Sequence, residues 1–167
     1  MAITYTEKGY GLHNAIRAAG HHLEQLDGIW TSSDDSAVQI IIDAYTLDAA
    51  KAEVTKKVSA HAKVLRDRVV SEISMGELAS WPVKLAEAVR FAETGNGANC
   101  PMLSAEAQAR GIPLAALVGK VGGNALGFSA IEAAIGGADG KHRDAIKAIT
   151  TFVALADYDC TAGWPEV

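Results

Sequence analysis

Cysteine is scarce in this sequence, with only Cys100 and Cys160 among 167 residues. Two cysteines cannot form the framework of a small disulfide-rich domain. The cysteines and the five histidines also lack the spacing of a structural zinc site. A surplus of positive charge is missing too, since 15 basic and 20 acidic residues leave a net charge of −5. This balance disfavours nucleic acid as a partner of the whole chain.

Long uninterrupted apolar runs are also lacking. Residues 1–10 contain no basic segment followed by an apolar one, so the sequence predicts no secretory signal. The most apolar stretch, 112–137, is interrupted by Lys120, Asn124 and Glu132. We therefore expect a buried helix of a soluble protein there, and no membrane partner. Without an export signal or a disulfide pattern, synthesis in a reducing cytoplasm is expected.

The composition is that of a folded protein, with 49% apolar and 21% charged residues. Charge divides the chain into three parts. Residues 1–47 hold two bases and six acids, 48–75 hold six bases and four acids, and 76–167 are again acidic. The sequence predicts an α+β, mainly α fold: a small mixed module over 1–47, a long connector helix over 48–76 and a helical module over 77–167.

The first module is expected to be a β-α-β-β-α unit. The β-branched and aromatic segment Ile3–Thr6 predicts a short strand. Leu12, Ile16 and Ala19 follow at helical spacing, and Gly20 is placed to end that helix. The second helix is indicated by N-cap residues over 31–35 and by the apolar positions Val38, Ile41, Ile42 and Tyr45.

Residues 21–31 allow two interpretations. Asp27-Gly28 between two strand-like runs is typical of a two-residue hairpin, because a type I′ turn needs positive φ at both central positions. Leu23 and Leu26 instead continue the apolar stripe of the preceding helix, which favours a helix extended through them. Gly20 and the histidine pair that follows it weaken the helix and favour the hairpin.

The connector has one apolar stripe, which predicts a helix from Asp48 to Met75 that Gly76 ends. A strict 3.5-residue repeat fails, so no clean left-handed coiled coil is encoded. The stripe must be buried against the C-terminal helices of its own chain or against another subunit of a homo-oligomer. The candidate interface residues are Val54, Val58, Leu65, Val69 and Ile73, together with Trp164.

The last module is predicted to be a series of helices. Ser80-Trp81-Pro82 is expected to begin one that Gly95 ends, and an exposed loop follows over 96–101. A short helix is expected over Leu103–Arg110, closed by Gly111, and Pro113 begins the next. Trp81 and Trp164 are expected to anchor this module, as Trp30 anchors the first.

Three glycines four residues apart, Gly119, Gly123 and Gly127, predict a face where another helix packs closely. Gly136-Gly137 is expected to break this helix, and a further helix is predicted over Asp139–Ile149. Thr150-Thr151 then caps a last short turn through Leu155.

Candidate chemistry is sparse. His13, His21, His22 and Glu24 form the densest group of possible metal ligands, but adjacent side chains of a strand point to opposite faces and the His-Glu-x-x-His pattern is absent. Cys100 has no base nearby in sequence. The glycines over 119–123 lack the Walker spacing. The sequence therefore predicts no catalytic, cofactor-binding or metal-binding residues.

Two segments resemble proteins of tailed bacteriophages. The ending, TTFVALADYD over 150–159 followed by Thr161-Ala162-Gly163-Trp164-Pro165, is similar to the C-terminal ending of a family of tail-fibre-associated proteins. The segment from Gly28 to Tyr45 is similar to the one that precedes a long helix in such proteins. Trp81-Pro82 and the segment Gly111–Pro113 add to this pattern. The terminal Trp-Pro also resembles tail-fibre assembly chaperones.

The resemblance implies a protein that binds a phage tail fibre or another tail protein, as an assembly chaperone or as a virion tail subunit. It implies the host cytoplasm during assembly, or the virion tail, as location. The family contributes no catalytic residues to this chain. The alternative is a small phage-encoded inhibitor or enzyme whose site has no recognisable motif.

Overall fold

The structure is a computed structural model, which describes residues 3–167. It contains helices α1 (Tyr10–Ala18), α2 (Asp35–Ala44), α3 (Leu47–Val69), α4 (Met75–Thr94), α5 (Pro101–Arg110), α6 (Leu114–Ala148) and α7 (Phe152–Ala156), and strands β1 (Leu23–Leu26) and β2 (Ile29–Ser32). Helices make up 70% of the structure, and the described residues form a single two-stranded antiparallel sheet. The predicted α+β, mainly α class is confirmed.

The chain divides into two compact units. The first unit contains the residues up to Lys63 together with Gly137–Trp164, and the second contains Val64–Gly136 with Pro165–Val167. Helices α3 and α6 contribute residues to both units. These two units differ from the three parts that the charge pattern suggests. The division into three parts stays a prediction.

Local signals correctly predict the end of α1. The amide of Gly20 donates to the carbonyl of Arg17 at 2.9 Å, and the amide of His21 donates to that of Ile16 at 3.1 Å. These two bonds form a Schellman motif, in which the residue after the cap is left-handed. Gly20 adopts that conformation, with φ 84°.

The hairpin interpretation of residues 21–31 is confirmed. Strands β1 and β2 pair antiparallel, with Leu26 opposite Ile29. Asp27 and Gly28 form the two-residue turn, with φ 50° and 81°. Both angles are positive, as a type I′ turn requires.

The predicted strand over Ile3–Thr6 is wrong, because this segment is irregular and pairs with no strand. Its backbone is hydrogen-bonded to a side chain instead, since the amide of Thr4 donates to Oε1 of Gln39 at 2.8 Å. Ile3 is buried, so the segment contributes to the core without belonging to the sheet.

The core of the first unit lies between its helices. Asp34 caps α2 by accepting from the amide of Ala37 at 3.0 Å, and Thr151 caps α7 in the same way through Ala154. Both caps agree with the sequence prediction. The buried side chains of this core are Ile3, Leu12, Ile16, Val38, Ile42, Tyr45, Ala50, Val58, Ile146 and Leu155.

The connector helix is shorter than predicted. Helix α3 ends at Val69. A turn follows, in which the amide of Ile73 donates to the carbonyl of Val70 at 3.0 Å. Ser74 then caps α4 by accepting from the amide of Glu77 at 3.1 Å. Because this cap begins a new helix, the expectation of one helix through Met75, ended by Gly76, is wrong.

Ser80-Trp81-Pro82 does not begin a helix, contrary to the prediction. Pro82 lies inside α4, which starts seven residues earlier at Met75 and ends before Gly95, as predicted. Proline has no amide to donate. Helix α5 ends before Gly111 as expected, but it begins at Pro101 instead of Leu103.

Helix α6 is one continuous helix of 35 residues, so the break predicted at Gly136-Gly137 is wrong. It is also not the buried helix that we expected over 112–137, where only Leu117 and Ile135 are buried. Gly119, Gly123 and Gly127 have no atom within 4 Å of the place where a Cβ would stand. Within residues 3–167 no helix crosses closely on these glycines, so that prediction is wrong.

Helix α6 is long and apolar enough to cross a membrane by length and composition alone. An 18-residue window has a mean hydropathy of 1.4, and 6% of it is buried. One such helix is weak evidence for a membrane span, and no other is found among residues 3–167. Among the large apolar side chains that α6 contributes to the second unit, Leu126 is 75% exposed and Phe128 is 36% exposed.

Candidate functional site: an apolar groove in the second unit

Helices α4, α5 and α6 enclose a groove with a volume of about 360 Å³. We call it the α4–α6 groove. Its apolar walls are formed by Trp81, Pro82, Leu85, Leu117, Val121, Ala125 and Phe128, and its polar rim by Glu77, Lys84, Glu106, Arg110, Lys120, Asn124 and Ser129. A volume of this size with mostly apolar walls and a few polar groups is typical of binding sites.

Two aromatic side chains define one end of the groove. The rings of Trp81 and Phe128 meet edge to face, with centroids 5.4 Å apart and an interplanar angle of 80°. Trp81, the predicted anchor of the last module, lies half-buried in the wall of the groove. Tryptophan in such a position is often a main contributor to binding energy.

Four charged residues on the rim form a continuous network. Lys84 Nζ lies 2.9 Å from Glu77 Oε1 and 2.9 Å from Glu106 Oε2. Glu106 Oε1 in turn lies 2.8 Å from Arg110 Nη1. Two cations and two carboxylates alternate, so the network is neutral as a whole.

The network shifts the pKa values of its members. Hydrogen bonds from Lys84 and then from Arg110 lower the pKa of Glu106 below its ordinary value. Burial alone lowers the pKa of Lys84, but the hydrogen bonds to Glu106 and Glu77 outweigh it, and the pKa of Lys84 is raised. Both shifts favour the charged forms. The two ion pairs hold Lys84 with 11% of its side chain exposed.

Lys120 is the remaining charged residue of the rim. Within residues 3–167 it has no hydrogen bond, ion pair or ring contact. It lies on the face of α6 that also contributes Leu117 and Val121 to the groove. The groove therefore combines apolar walls with a rim that carries a neutral network and one unpaired positive charge.

The candidate interface residues of the connector are partly buried by packing within their own chain. Val58 is fully buried in the core of the first unit and Leu65 is buried in the second. Val54 and Ile73 are half-buried. Val69 lines a smaller cavity of about 180 Å³ in the second unit. Of the two expected ways to bury the stripe, packing within the chain holds for Val58 and Leu65.

Trp164, the other interface candidate, lies in an aromatic cluster of the first unit. Its ring stacks on His142, with centroids 5.1 Å apart, and also contacts His61. Its indole Nε1 donates to the carbonyl of Cys160 at 3.0 Å. Trp164 thus anchors the end of the chain on His142 of α6, within the predicted module 77–167, and also contacts His61 of α3.

His142 at the centre of this cluster is buried and bonded through both ring nitrogens. Nε2 lies 3.0 Å from the carbonyl of Ala162, which can only accept, so Nε2 carries the proton. The hydroxyl of Tyr158 then donates to Nδ1 at 2.6 Å. Burial, followed by the charges of Cys160 and Asp159, raises the pKa of Tyr158.

The other chemical candidates have structural partners. His13 Nε2 lies 3.1 Å from the hydroxyl of Tyr5, and His21 Nδ1 lies 3.1 Å from Ser33 Oγ. No group of three or more metal-ligand side chains occurs in the part of the chain that the structure describes. Cys100 is fully buried and donates to the carbonyl of Glu87 at 3.2 Å, so the expectation that it lies in an exposed loop is wrong.

Trp30, the predicted anchor of the first module, stacks on Tyr5 with ring centroids 4.0 Å apart. It packs half-buried against the core of the first unit. This contact keeps the hairpin against the irregular segment that precedes α1.

Sequence reasoning did not identify the groove. The sequence identified Trp81 as an anchor, but it gave Lys84, Lys120 and Phe128 no role. The spacing of Leu117, Val121, Ala125 and Phe128 at three or four residues is the signal for one face of α6. The three helices that complete the groove come together only in the fold.

No protein-family model, curated protein or solved structure matches this chain.

Proposed function

We propose that this chain is a phage tail-fibre-associated binding protein, acting as an assembly chaperone or as a virion tail subunit. The observation that carries the proposal is the α4–α6 groove, an apolar binding surface with a charged rim. The resemblance of the ending over 150–165 to tail-fibre-associated proteins supports the choice of partner. The mechanism is binding without a chemical step.

The second unit exposes more apolar surface than the groove alone. Leu126 is 75% exposed, and Val83, Val89 and Met75 are exposed as well. Contiguous exposed apolar side chains are typical of a protein interaction surface, and Leu85 and Phe128 of the groove are themselves 40% and 36% exposed. Fibre subunits expose apolar surface and unpaired strand edges before they assemble, and a chaperone has to cover such surface.

The test is co-expression with the tail-fibre protein encoded beside this chain, followed by light scattering of the purified material. A stable complex supports the proposal. Leu85→Glu places a charge in the wall of the groove and is expected to weaken the complex at least about tenfold, since a buried apolar contact is lost and a charge desolvated. Ile40→Glu is the matched control, because Ile40 is 70% exposed in α2 of the other unit.

Three outcomes would count against the proposal. If the wild-type chain remains alone with every tail protein of its phage, the partner class is wrong. If Leu85→Glu and Ile40→Glu weaken the complex equally, the groove is not the binding surface. If the purified chain catalyses a reaction, or if it inhibits a phage or host enzyme, the alternative of a small enzyme or inhibitor replaces the binding proposal.

A further inference from the structure

The α4–α6 groove has the length of a helical peptide. Its lining residues on α6 extend from Leu117 to Ser129, which is about 18 Å at about 1.5 Å per residue. A partner helix of about three turns matches this length. An amphipathic helix lying in an apolar groove is a recurring mode of peptide recognition, in which side chains three and four residues apart enter the groove.

The charges of the rim indicate which helix fits. The carboxylates of Glu77 and Glu106 are already bound by Lys84, and Glu106 also by Arg110. Lys84 and Arg110 thus neutralise these carboxylates, and the network offers no net negative charge to an incoming basic side chain. Lys120, by contrast, has no partner in the described chain. A carboxylate beside the apolar face of the incoming helix would pair with it.

We propose that the α4–α6 groove binds an amphipathic helical segment of the partner, with an apolar face and an acidic residue that pairs with Lys120. The inference rests on the proposed function and names the chemistry of the segment that the fibre or tail protein presents. Trp81 and Phe128 supply the aromatic contact at one end. Lys84 is already paired with Glu77 and Glu106, so the carboxylate of the incoming helix pairs with Lys120.

The test uses fluorescein-labelled model peptides of about three helical turns, rich in alanine, with leucines on one face and a single central Glu. Two further peptides carry Gln or Lys in its place. Binding is measured by fluorescence anisotropy. We expect the Glu peptide to bind, the Gln peptide to bind about fivefold more weakly, the effect of losing an exposed ion pair, and the Lys peptide to be weakest.

Charge reversal on the protein makes the test specific. Lys120→Glu is expected to invert the order, so that the Lys peptide binds best. Lys141→Glu is the matched control, because Lys141 is an exposed lysine of the same helix in the first unit, and it should keep the original order. Leu85→Glu should abolish binding of all three peptides, with circular dichroism showing that each variant remains helical.

Several results would overturn the inference. These are the absence of saturable binding, equal binding of the three peptides, or an equal effect of Lys120→Glu on all of them. Displacement of a bound peptide by phosphatidylcholine–phosphatidylglycerol vesicles would assign the groove to lipid. A dimer of the chain that Leu85→Glu converts to monomer would assign it to a second copy. If the fibre complex forms but the peptides fail, only this inference falls; if the peptides bind and no tail protein does, only the partner class falls.

Discussion

The carboxylate of Glu87 binds the N-terminus of a neighbouring helix, with Oε2 accepting from the backbone amide of Leu103 at 2.8 Å. Its Oε1 accepts from the amide of Met102 at 3.2 Å. Glu87 is 4% exposed and has no basic partner in the hydrogen bonds of residues 3–167. The free amides of the first turn of α5 and the positive end of its dipole thus take the place of a counter-ion.

Replacing Glu87 by Ala should destabilise the second unit. The buried amide of Leu103 and the partly buried amide of Met102 lose their acceptor, which costs about 1–3 kcal/mol of unfolding free energy. The measurement is urea unfolding followed by circular dichroism. Glu93→Ala serves as the control, because Glu93 is exposed in the same helix, and it should change the free energy by less than about 0.5 kcal/mol. Equal effects of the two variants would contradict the capping role.

The neutral ring of His142 is predicted to be the Nε2–H tautomer. The reason is that Ala162 offers only a carbonyl, so the Nε2 side of the ring has to donate. Nitrogen-15 NMR of the histidine side chains distinguishes the two tautomers. The opposite tautomer would show that the contact between His142 and Ala162 does not form in solution.

Tyr158→Phe tests the other bond of the same ring. Removing the hydroxyl leaves Nδ1 of His142 without its donor, and we expect a loss of about 1 kcal/mol in unfolding free energy. Tyr10→Phe is matched to it, because Tyr10 is 64% exposed and should tolerate the change. A Tyr158→Phe protein as stable as wild type would mean that the bond adds nothing to the anchoring of the chain end.

Glu106 should make stability fall in acid. Its pKa in the folded state is lowered by Lys84 and Arg110 below the ordinary value of 4.5. The folded protein therefore binds fewer protons than the unfolded chain, and the contribution of Glu106 is present above pH 4.5 and lost as the pH falls through the lower folded value. Glu106→Gln should cost about 0.5–1.5 kcal/mol near neutral pH and less in acid.

The measurement for Glu106 is thermal unfolding of the wild type and Glu106→Gln as a function of pH. The two curves should converge below pH 4.5. Glu93→Gln provides the comparison of an exposed carboxyl in α4, and its curve should follow that of the wild type. If the unfolding temperatures of the wild type and Glu106→Gln differ by the same amount down to acid pH, the loss of stability in acid does not come from protonation of Glu106.

Gly123→Ala and Gly127→Ala should each stabilise the isolated chain. A Cβ at either position meets no atom within 4 Å, and alanine is favoured over glycine in a helix by about 0.8–1 kcal/mol. Gly28→Ala, in the hairpin turn with φ 81°, should instead destabilise it. Loss of stability in Gly123→Ala, measured by thermal unfolding, would indicate that a second molecule covers the glycine face in solution.

Short-range features were predictable from the sequence because the groups that decide them lie within a few residues of one another. The Asp27-Gly28 turn, the cap by Asp34 and the end of α1 at Gly20 are examples. The same local reasoning failed where two local signals competed. Ser74 caps a new helix and overrides the stripe that continues to Ile73, and Pro82 lies inside a helix instead of beginning one.

The sequence by itself determined the fold class, the hairpin and most helix ends of this protein, since amide capping, turn angles and helical spacing act over a few bonds. Only the tertiary structure decided which apolar faces are covered. It buries Val58, leaves Leu126 exposed and brings Lys84 to Glu106 across 22 positions of sequence. Burial and ion pairing depend on which helices meet, and the groove of α4, α5 and α6 exists only after they have done so.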